Sequence, residues 1–223
     1  MLRRGFRVLP QSWQRAARRA RSRWQNAAGR RRFLRQVRSG APLKIVVGSS
    51  GVCPPGWIAS DIGYLNLLHP EDWAGHFAPA SIEAILAEHV WEHLSAEEGL
   101  IAARVCHDYL RAGGYLRVAV PDGFHPDPTY RDWVRIGGSG PGADDHQVLY
   151  NHQTLGALFA RAGFEVELLE YFDARGNFHG GAWDPADGMI HRSQRFDRRN
   201  AGDGLCYTSL ILDARKPASA RPP

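Results

Sequence analysis

The chain has 223 residues, 43% of them hydrophobic, which is enough for one well-buried α/β domain and too short for two large ones. That composition excludes a disordered chain, and no apolar run is long enough to span a bilayer. The net charge of +5 is split: residues 1–40 carry 13 arginines and no acid or lysine, whereas residues 41–223 carry 15 basic and 23 acidic side chains, a net −8.

The basic segment comes first. Phe6, Leu9, Trp13, Ala17, Ala20, Trp24 and Ala27 recur at intervals of three and four, so they share one helical stripe surrounded by arginines. Pro10 limits the start, and the spacing predicts a helix from about Ser12 to Ala28. Gly29 and then Ser39-Gly40-Ala41-Pro42 punctuate the route into the body. Residues 1–42 are thus expected to form a basic amphipathic arm. Its tryptophans and arginines suit an anionic membrane surface. A protein contact, or docking on its own domain, is the plainer reading, and its acid-free character also resembles a mitochondrial transit peptide. The first residues lack the apolar core of a secretory signal. Nothing downstream resembles an RNA-binding strand motif, which argues against nucleic acid as the partner.

Residues 43–215 read as one domain. Leu43-Lys44-Ile45-Val46-Val47 is a strand candidate that runs into Gly48-Ser49-Ser50-Gly51, where small residues let backbone amides approach a ligand. No G-x-G-x-x-G or phosphate-loop ending is present. Trp57 to Asp61 reads as a second strand ending in a carboxylate, and Glu71-Asp72-Trp73 reads either as part of a cofactor contact or as the start of a short helix. A buried strand, Ser81 to Ala87, leads to Glu88 and then to His89-Val90-Trp91-Glu92-His93. Read alone, that stretch is the H-x-x-E-H pattern of a zinc peptidase, in which two imidazoles bind metal and a glutamate activates water. Such a helix would have to include His89, yet His89 follows strand residues directly. Ser95 is moreover a helix cap with Glu98 three positions on. No metal site is therefore assigned.

Gly113-Gly114 ends that helix and Tyr115 to Val120 forms the next strand, closed by Pro121-Asp122. A loop-rich segment runs to about Tyr150. Thr154 to Ala162 is helical with Leu155, Leu158 and Phe159 inward, and Phe164 to Leu169 alternates as a strand. Residues 173–204, rich in glycine, charge and turns, are expected to be an irregular active-side or surface excursion, and with residues 123–150 are long enough to wall a substrate site. Tyr207 to Leu212 closes the body, and residues 216–223 form a loose tail. Cys53, Cys106 and Cys206 share no close spacing, which favours a reducing compartment such as the cytoplasm.

Taken in order, several stretches resemble a class I S-adenosylmethionine-dependent methyltransferase. They are Lys44–Gly48, Gly56–Asp61, Ala87–Leu94, Leu110–Asp122, Asn151–Leu155, Ala162–Phe164 and Tyr207–Leu212. More narrowly, they resemble members associated with glycan and surface-polysaccharide biosynthesis. The resemblance implies a Rossmann-like three-layer α/β sandwich, mostly parallel, with an antiparallel last strand and S-adenosylmethionine across the carboxyl edge. It puts Gly48, Ser49 and Ser50 in the cofactor loop, Asp61 at the ribose and Asp72 near the adenine. Glu88 and His89 then line the cofactor and acceptor cleft. One departure is Ser50, where such loops carry glycine; its Cβ falls where a positive φ is required.

Methyl transfer needs alignment and, for a hydroxyl acceptor, a base. His89 is the first base candidate, with Asp122 to orient the acceptor or base and His146, itself oriented by Asp145, as a loop candidate. His93 is expected to help fix the cleft. The acceptor implied is a small hydroxylated or glycan-type molecule, with Tyr130, Trp133, Tyr150 and Trp183 available to stack on a sugar. The arm could hold the body at the inner face of a membrane. The alternative is a non-catalytic binding or assembly protein that keeps the fold.

Overall fold

A computed structural model describes residues 27–202 and 204–218. Most of the predicted arm helix therefore lies outside the described residues. Helix α1 (27–37) runs through Gly29 rather than breaking there and buries Phe33 completely. Phe33 packs edge-on against Phe77 and His76, so the last part of the basic segment is built into the core.

Seven strands form one sheet: β1 (Lys44–Val47), β2 (Ile58–Ala59), β3 (Ile82–Glu88), β4 (Leu110–Val120), β5 (Glu165–Phe172), β6 (Phe178–Gly180) and β7 (Leu210–Arg215). Their order is β2-β1-β3-β4-β7-β5-β6. Strands β1 to β5 point one way. β7 runs antiparallel between β4 and β5, and β6 turns back on β5 as a hairpin. This is the expected Rossmann-like α/β fold with its reversed last strand. The hairpin is a difference: β6 lies inside the segment expected to be irregular and adds an edge to the sheet.

Helix α2 spans Pro70–Ala74, α3 Ala96–Tyr109, α4 Pro128–Val134 and α5 His152–Arg161. The start of α3 follows its sequence signal. Ser95 Oγ accepts from the Glu98 amide and the Glu98 carboxylate accepts from the Ser95 amide, satisfying two end donors. Its end does not. β4 begins at Leu110, and Gly113-Gly114 lie within the strand beside a shift in its pairing with β3. A Cβ on Gly114 would come within 2.9 Å of the Glu83 carbonyl, so glycine is needed there for close backbone approach and not to stop the helix.

The two faces of the sheet are covered differently. On one, Ile45, Val47, Ile85, Leu116, Val118 and Leu212 join Phe33, Trp73, Cys106 and Phe159 from helices α1, α2, α3 and α5. Each such buried aliphatic contributes roughly 1.5–3 kcal/mol. On the other, Val46, Ala84, Leu86, Ala119 and Ile211 lie under Trp57, Ile190 and Trp183. The third layer there is the turn-rich run 181–193, with one 3₁₀ turn at Pro185–Asp187.

Polar groups rooted in the sheet hold that run. Arg117 of β4, 2% exposed, forks onto the Asp213 carboxylate of β7 at 2.8 and 3.0 Å. Its remaining nitrogen donates to the carbonyls of Asp184 and Gly188. Glu170 of β5 accepts from Trp183 Nε1, the Gln194 amide and the Thr208 hydroxyl.

Candidate functional site

The chain leaves β1 toward β2 on one side and returns through β3 on the other, so β1 and β3 flank the point where strand order reverses. In open α/β sheets that crevice is where ligands bind. A cleft of about 460 Å³ lies there, within the roughly 300–1,000 Å³ typical of small-molecule sites. Gly48, Ser49 and Ser50 wall it at the end of β1, Glu88 and His89 at the end of β3, and Met189, His191 and Arg192 on the excursion.

The loop after β1 is a tight left-handed turn. Gly48, Ser50 and Gly51 have φ of 62°, 45° and 87°. Position 50 thus takes the conformation that the glycine of similar loops would supply, with serine bearing the strain. A Cβ on Gly48 would strike Val90 Cγ2 at 2.7 Å, so this glycine lets the ends of β1 and β3 approach. The Ser49 amide donates to the Ser60 carbonyl and ties the turn to the end of β2.

His89 also has a positive φ, 55°, directly after β3. Its backbone amide donates to the Ala119 carbonyl at 2.8 Å. One ring nitrogen, Nδ1, lies 2.8 Å from Glu92 Oε1, and the other, Nε2, 3.0 Å from Ser209 Oγ. Glu92 is 1% exposed. Burial pushes its carboxyl up, but the charge and contact of His89 outweigh that and hold it below its ordinary value. The Nδ1 contact lies off a hydrogen-bonding line, and neither Glu92 oxygen has a hydrogen-bond partner among the described residues. The serine–histidine–glutamate order resembles an acyl-transfer relay. Ser209, however, is fully buried and lines no part of the cleft, so its hydroxyl orients the imidazole instead.

The helix that a zinc-peptidase motif requires does not form. Residues Trp91–His93 make a 3₁₀ turn that carries Glu92 and His93 to the cleft. His146 arrives from the loop after β4, held by its Nδ1 on the Val134 carbonyl at 2.8 Å. One donor atom each from Glu92, His93 and His146 lies within 4.8 Å of the others. Asp145 orients His93 rather than His146: its backbone oxygen and carboxylate lie 3.4 and 3.5 Å from His93 Nδ1. A side chamber of about 180 Å³ opens beyond His89 and His146, walled by Trp133, Tyr207, Arg192 and Arg199.

Gly48, Ser49, Ser50, Glu88, His89 and His146 thus come together at one cleft, whereas three predicted residues stay outside its walls. Asp61 stands two residues beyond β2 on the same sheet edge, its carboxylate accepting from the Ile62 amide. Asp72 caps the turn before α2 by accepting from the Asn66 amide. Asp122 is fully buried and accepts from the amides of Phe124 and Phe172 at 2.8 Å, which staples the end of β4 to the end of β5. Burial pushes its carboxyl up, against the pull of those two amides. Of the aromatic candidates, Trp133 lines the side chamber. Tyr130 and Tyr150 are buried, and Trp183 is spent on Glu170.

The excursion 173–204, expected to wall a substrate site, supplies Met189, His191 and Arg192, which sequence reasoning did not single out. Glu88 positions them, its carboxylate accepting from the amides of His191 and Arg192. Nothing in the excursion's composition signals this, because the partners are backbone amides about a hundred residues from the glutamate.

No family model matches the sequence, and no curated protein matches it. Solved structures similar to it include a SAM-dependent methyltransferase from Archaeoglobus fulgidus, 14% identical over 87% of this chain and 94% of that one, with a TM-score of 0.46. A second, from Thermotoga maritima, is described as a SAM-dependent methyltransferase and possible histamine N-methyltransferase; it is 13% identical over 89% and 95%, with a TM-score of 0.48. An S-adenosylmethionine-dependent methyltransferase from Mesorhizobium loti is 13% identical over 82% and 95%, with a TM-score of 0.44.

Proposed function

We propose that the cleft binds S-adenosylmethionine and that the chain transfers its methyl group to a small hydroxylated or glycan-type acceptor in the side chamber. The observation that carries this reading is the cleft's position: it sits at the strand-order reversal, between a left-handed small-residue turn and a strand-end carboxylate and imidazole. When bound, the sulfonium supplies an electrophilic methyl carbon. The residues do the rest. The turn at 48–51 presents backbone to the ligand, and Asp61 is assigned to the ribose hydroxyls. His89 borders both chambers and is assigned as the base for the acceptor's proton, a role that requires its Nε2 to leave Ser209 Oγ. Trp133 gives the acceptor an apolar face, while the Tyr207 ring beside it is buried under the Arg199 guanidinium.

Calorimetric titration with S-adenosylhomocysteine tests the reading, and saturable one-to-one binding is expected. Asp61→Ala should then weaken binding by roughly tenfold or more, the worth of a hydrogen bond to a charged group. A second reading, a non-catalytic binding or assembly protein, draws on one feature: the chain passes from β1 to β2 through turns at 48–57, with no helix to point its N-terminus at a ligand. A folded protein that takes up no S-adenosylhomocysteine would reject the first reading and favour the second.

Residues 1–26 carry eight arginines and no acid, and we assign them to an anionic surface, either a membrane on its cytoplasmic side or a protein. No helix of the described residues is long and apolar enough to cross a membrane. Deleting residues 1–26, which spares Phe33, should abolish binding to anionic lipid vesicles; undiminished binding rejects the membrane role.

A further inference from the structure

We propose that Glu92, His93 and His146 bind a divalent first-row transition cation, zinc foremost, at the junction of the main cleft and the side chamber. Three independent features converge on it. First, one donor atom from each residue lies within 4.8 Å of the other two. Ligands of a four-coordinate zinc stand roughly 3–4 Å apart, given bonds of about 2.0–2.2 Å, so modest rotations close the set.

Second, Glu92 is a buried carboxylate whose charged partner, His89, reaches only one of its oxygens. It is 1% exposed, and its oxygens have no hydrogen-bond partner among the described residues, only the off-line contact to His89. A buried anion left in that state is costly unless a cation compensates it. His89 can steady one oxygen while the other is free to ligate.

Third, both imidazoles are preset for ligation. His146 Nδ1 donates to the Val134 carbonyl, and His93 Nδ1 faces the carbonyl and carboxylate of Asp145. In each ring the proton is thereby drawn to Nδ1, leaving Nε2 with its lone pair. A carbonyl or carboxylate behind the ligating histidine is the usual outer support of such sites.

The donor set selects the metal class. Two imidazoles and one carboxylate suit zinc or iron(II) rather than magnesium or calcium, which take oxygen ligands. Three protein ligands leave a coordination position open, as in catalytic rather than structural sites. All three residues line the main cleft and His146 also lines the side chamber, so the open position faces bound molecules. Its chemical use rests on the methyl-transfer reading: an acceptor hydroxyl on the ion would lose its proton to His89 more readily. The ion site itself does not depend on that reading.

The test uses the full chain without an affinity tag, stripped with a chelator and titrated with zinc chloride. About one equivalent should bind and raise the unfolding temperature. Glu92→Gln, His93→Ala and His146→Ala should each weaken binding by roughly tenfold or more, while His179→Ala, an exposed histidine on β6, should leave it unchanged. His93→Ala is the safest of the three, because His93 is only partly buried on a surface turn. Failure to bind zinc, or undiminished binding in folded His93→Ala protein, overturns the proposal. Titrating S-adenosylhomocysteine into stripped protein separates the two readings. Cofactor uptake without zinc uptake refutes the ion alone, and zinc uptake without cofactor uptake refutes methyl transfer alone.

Discussion

Leu116 and Arg117 are neighbours in β4, both essentially buried, yet they serve opposite faces of the sheet by different physics. Leu116 joins an apolar layer closed by four helices, where any well-fitting hydrocarbon serves and direction matters little. Arg117 faces a layer of irregular chain that has few backbone bonds of its own. That layer is positioned by directional bonds from three charged side chains, Arg117, Glu170 and Glu88, to its backbone and to Trp183. Since the same run supplies Met189, His191 and Arg192 to the cleft, these anchors set the shape of one binding wall. The helix face gives the molecule its stability, and the clamped face gives the site its geometry.

The comparison breaks most sharply at β4. Arg117→Leu should cost about 3 kcal/mol, toward the low end for a broken buried pair, because Asp213 loses its bidentate partner but keeps Arg215 at 3.1 Å, and the carbonyls of Asp184 and Gly188 are released. Leu116→Ala should cost about 2–5 kcal/mol through the cavity it leaves. Denaturant unfolding gives both values, but hydrogen exchange tells the faces apart. Amides of 184–194 should exchange by local opening in Arg117→Leu protein and only with global unfolding in Leu116→Ala protein. Equal protection in the two variants at matched stability would remove the distinction.

Sequence reasoning reached the helix face and largely missed the other, for a physical reason. Helix-face elements carry their own signals: Ile82 and Ile85 in β3, the Ser95–Glu98 cap, and Leu155, Leu158 and Phe159 in α5. The layer over 181–193 has no period, and its order comes from side chains on three strands, from 13 positions away at Glu170 to about a hundred at Glu88. The one visible trace was a charge, Arg117, inside an otherwise apolar strand. The site divides the same way. Gly48, Ser50, Glu88 and His89 were legible because they follow strands directly. Asp122 gives the same strand-end signal, yet its carboxylate faces inward to β5. Glu92 and His93 were recognisable as a pair, but their convergence with His146 depends on a loop more than fifty residues on.

Glu88 gives a smaller effect. Its carboxylate, 19% exposed, accepts from two amides at the rim of the cleft. Glu88→Ala should therefore cost only about 1–2 kcal/mol of stability. Ligand affinity should suffer more, because the 191–192 wall loses its anchor: S-adenosylhomocysteine binding is expected to fall roughly tenfold. If stability falls as far as in Arg117→Leu protein while affinity holds, Glu88 is a structural strut and not an anchor of the binding wall.

The smallest expected effect is the pH dependence of the helix face. His76 packs against Phe33 and His107 against Phe164. Burial lowers the affinity of both rings for a proton, aided by Arg30 near His76 and by Lys216 near His107. In the unfolded chain each titrates near its ordinary value of 6.5. Below that value the unfolded state binds more protons than the folded state, so stability falls as pH drops toward the lowered folded values. Above about pH 7 both rings are neutral in either state and this contribution is flat. Stability measured between pH 7.5 and 5, taken here as roughly the histidine range, should decline by much less than the Arg117 substitution costs. His107→Phe should shallow that slope. Arg117→Leu should shift the whole curve down and leave the histidine-dependent slope in place, because the guanidinium stays charged throughout. A slope that instead disappears with Arg117 would assign the acid sensitivity to the clamped face and reverse this part of the comparison.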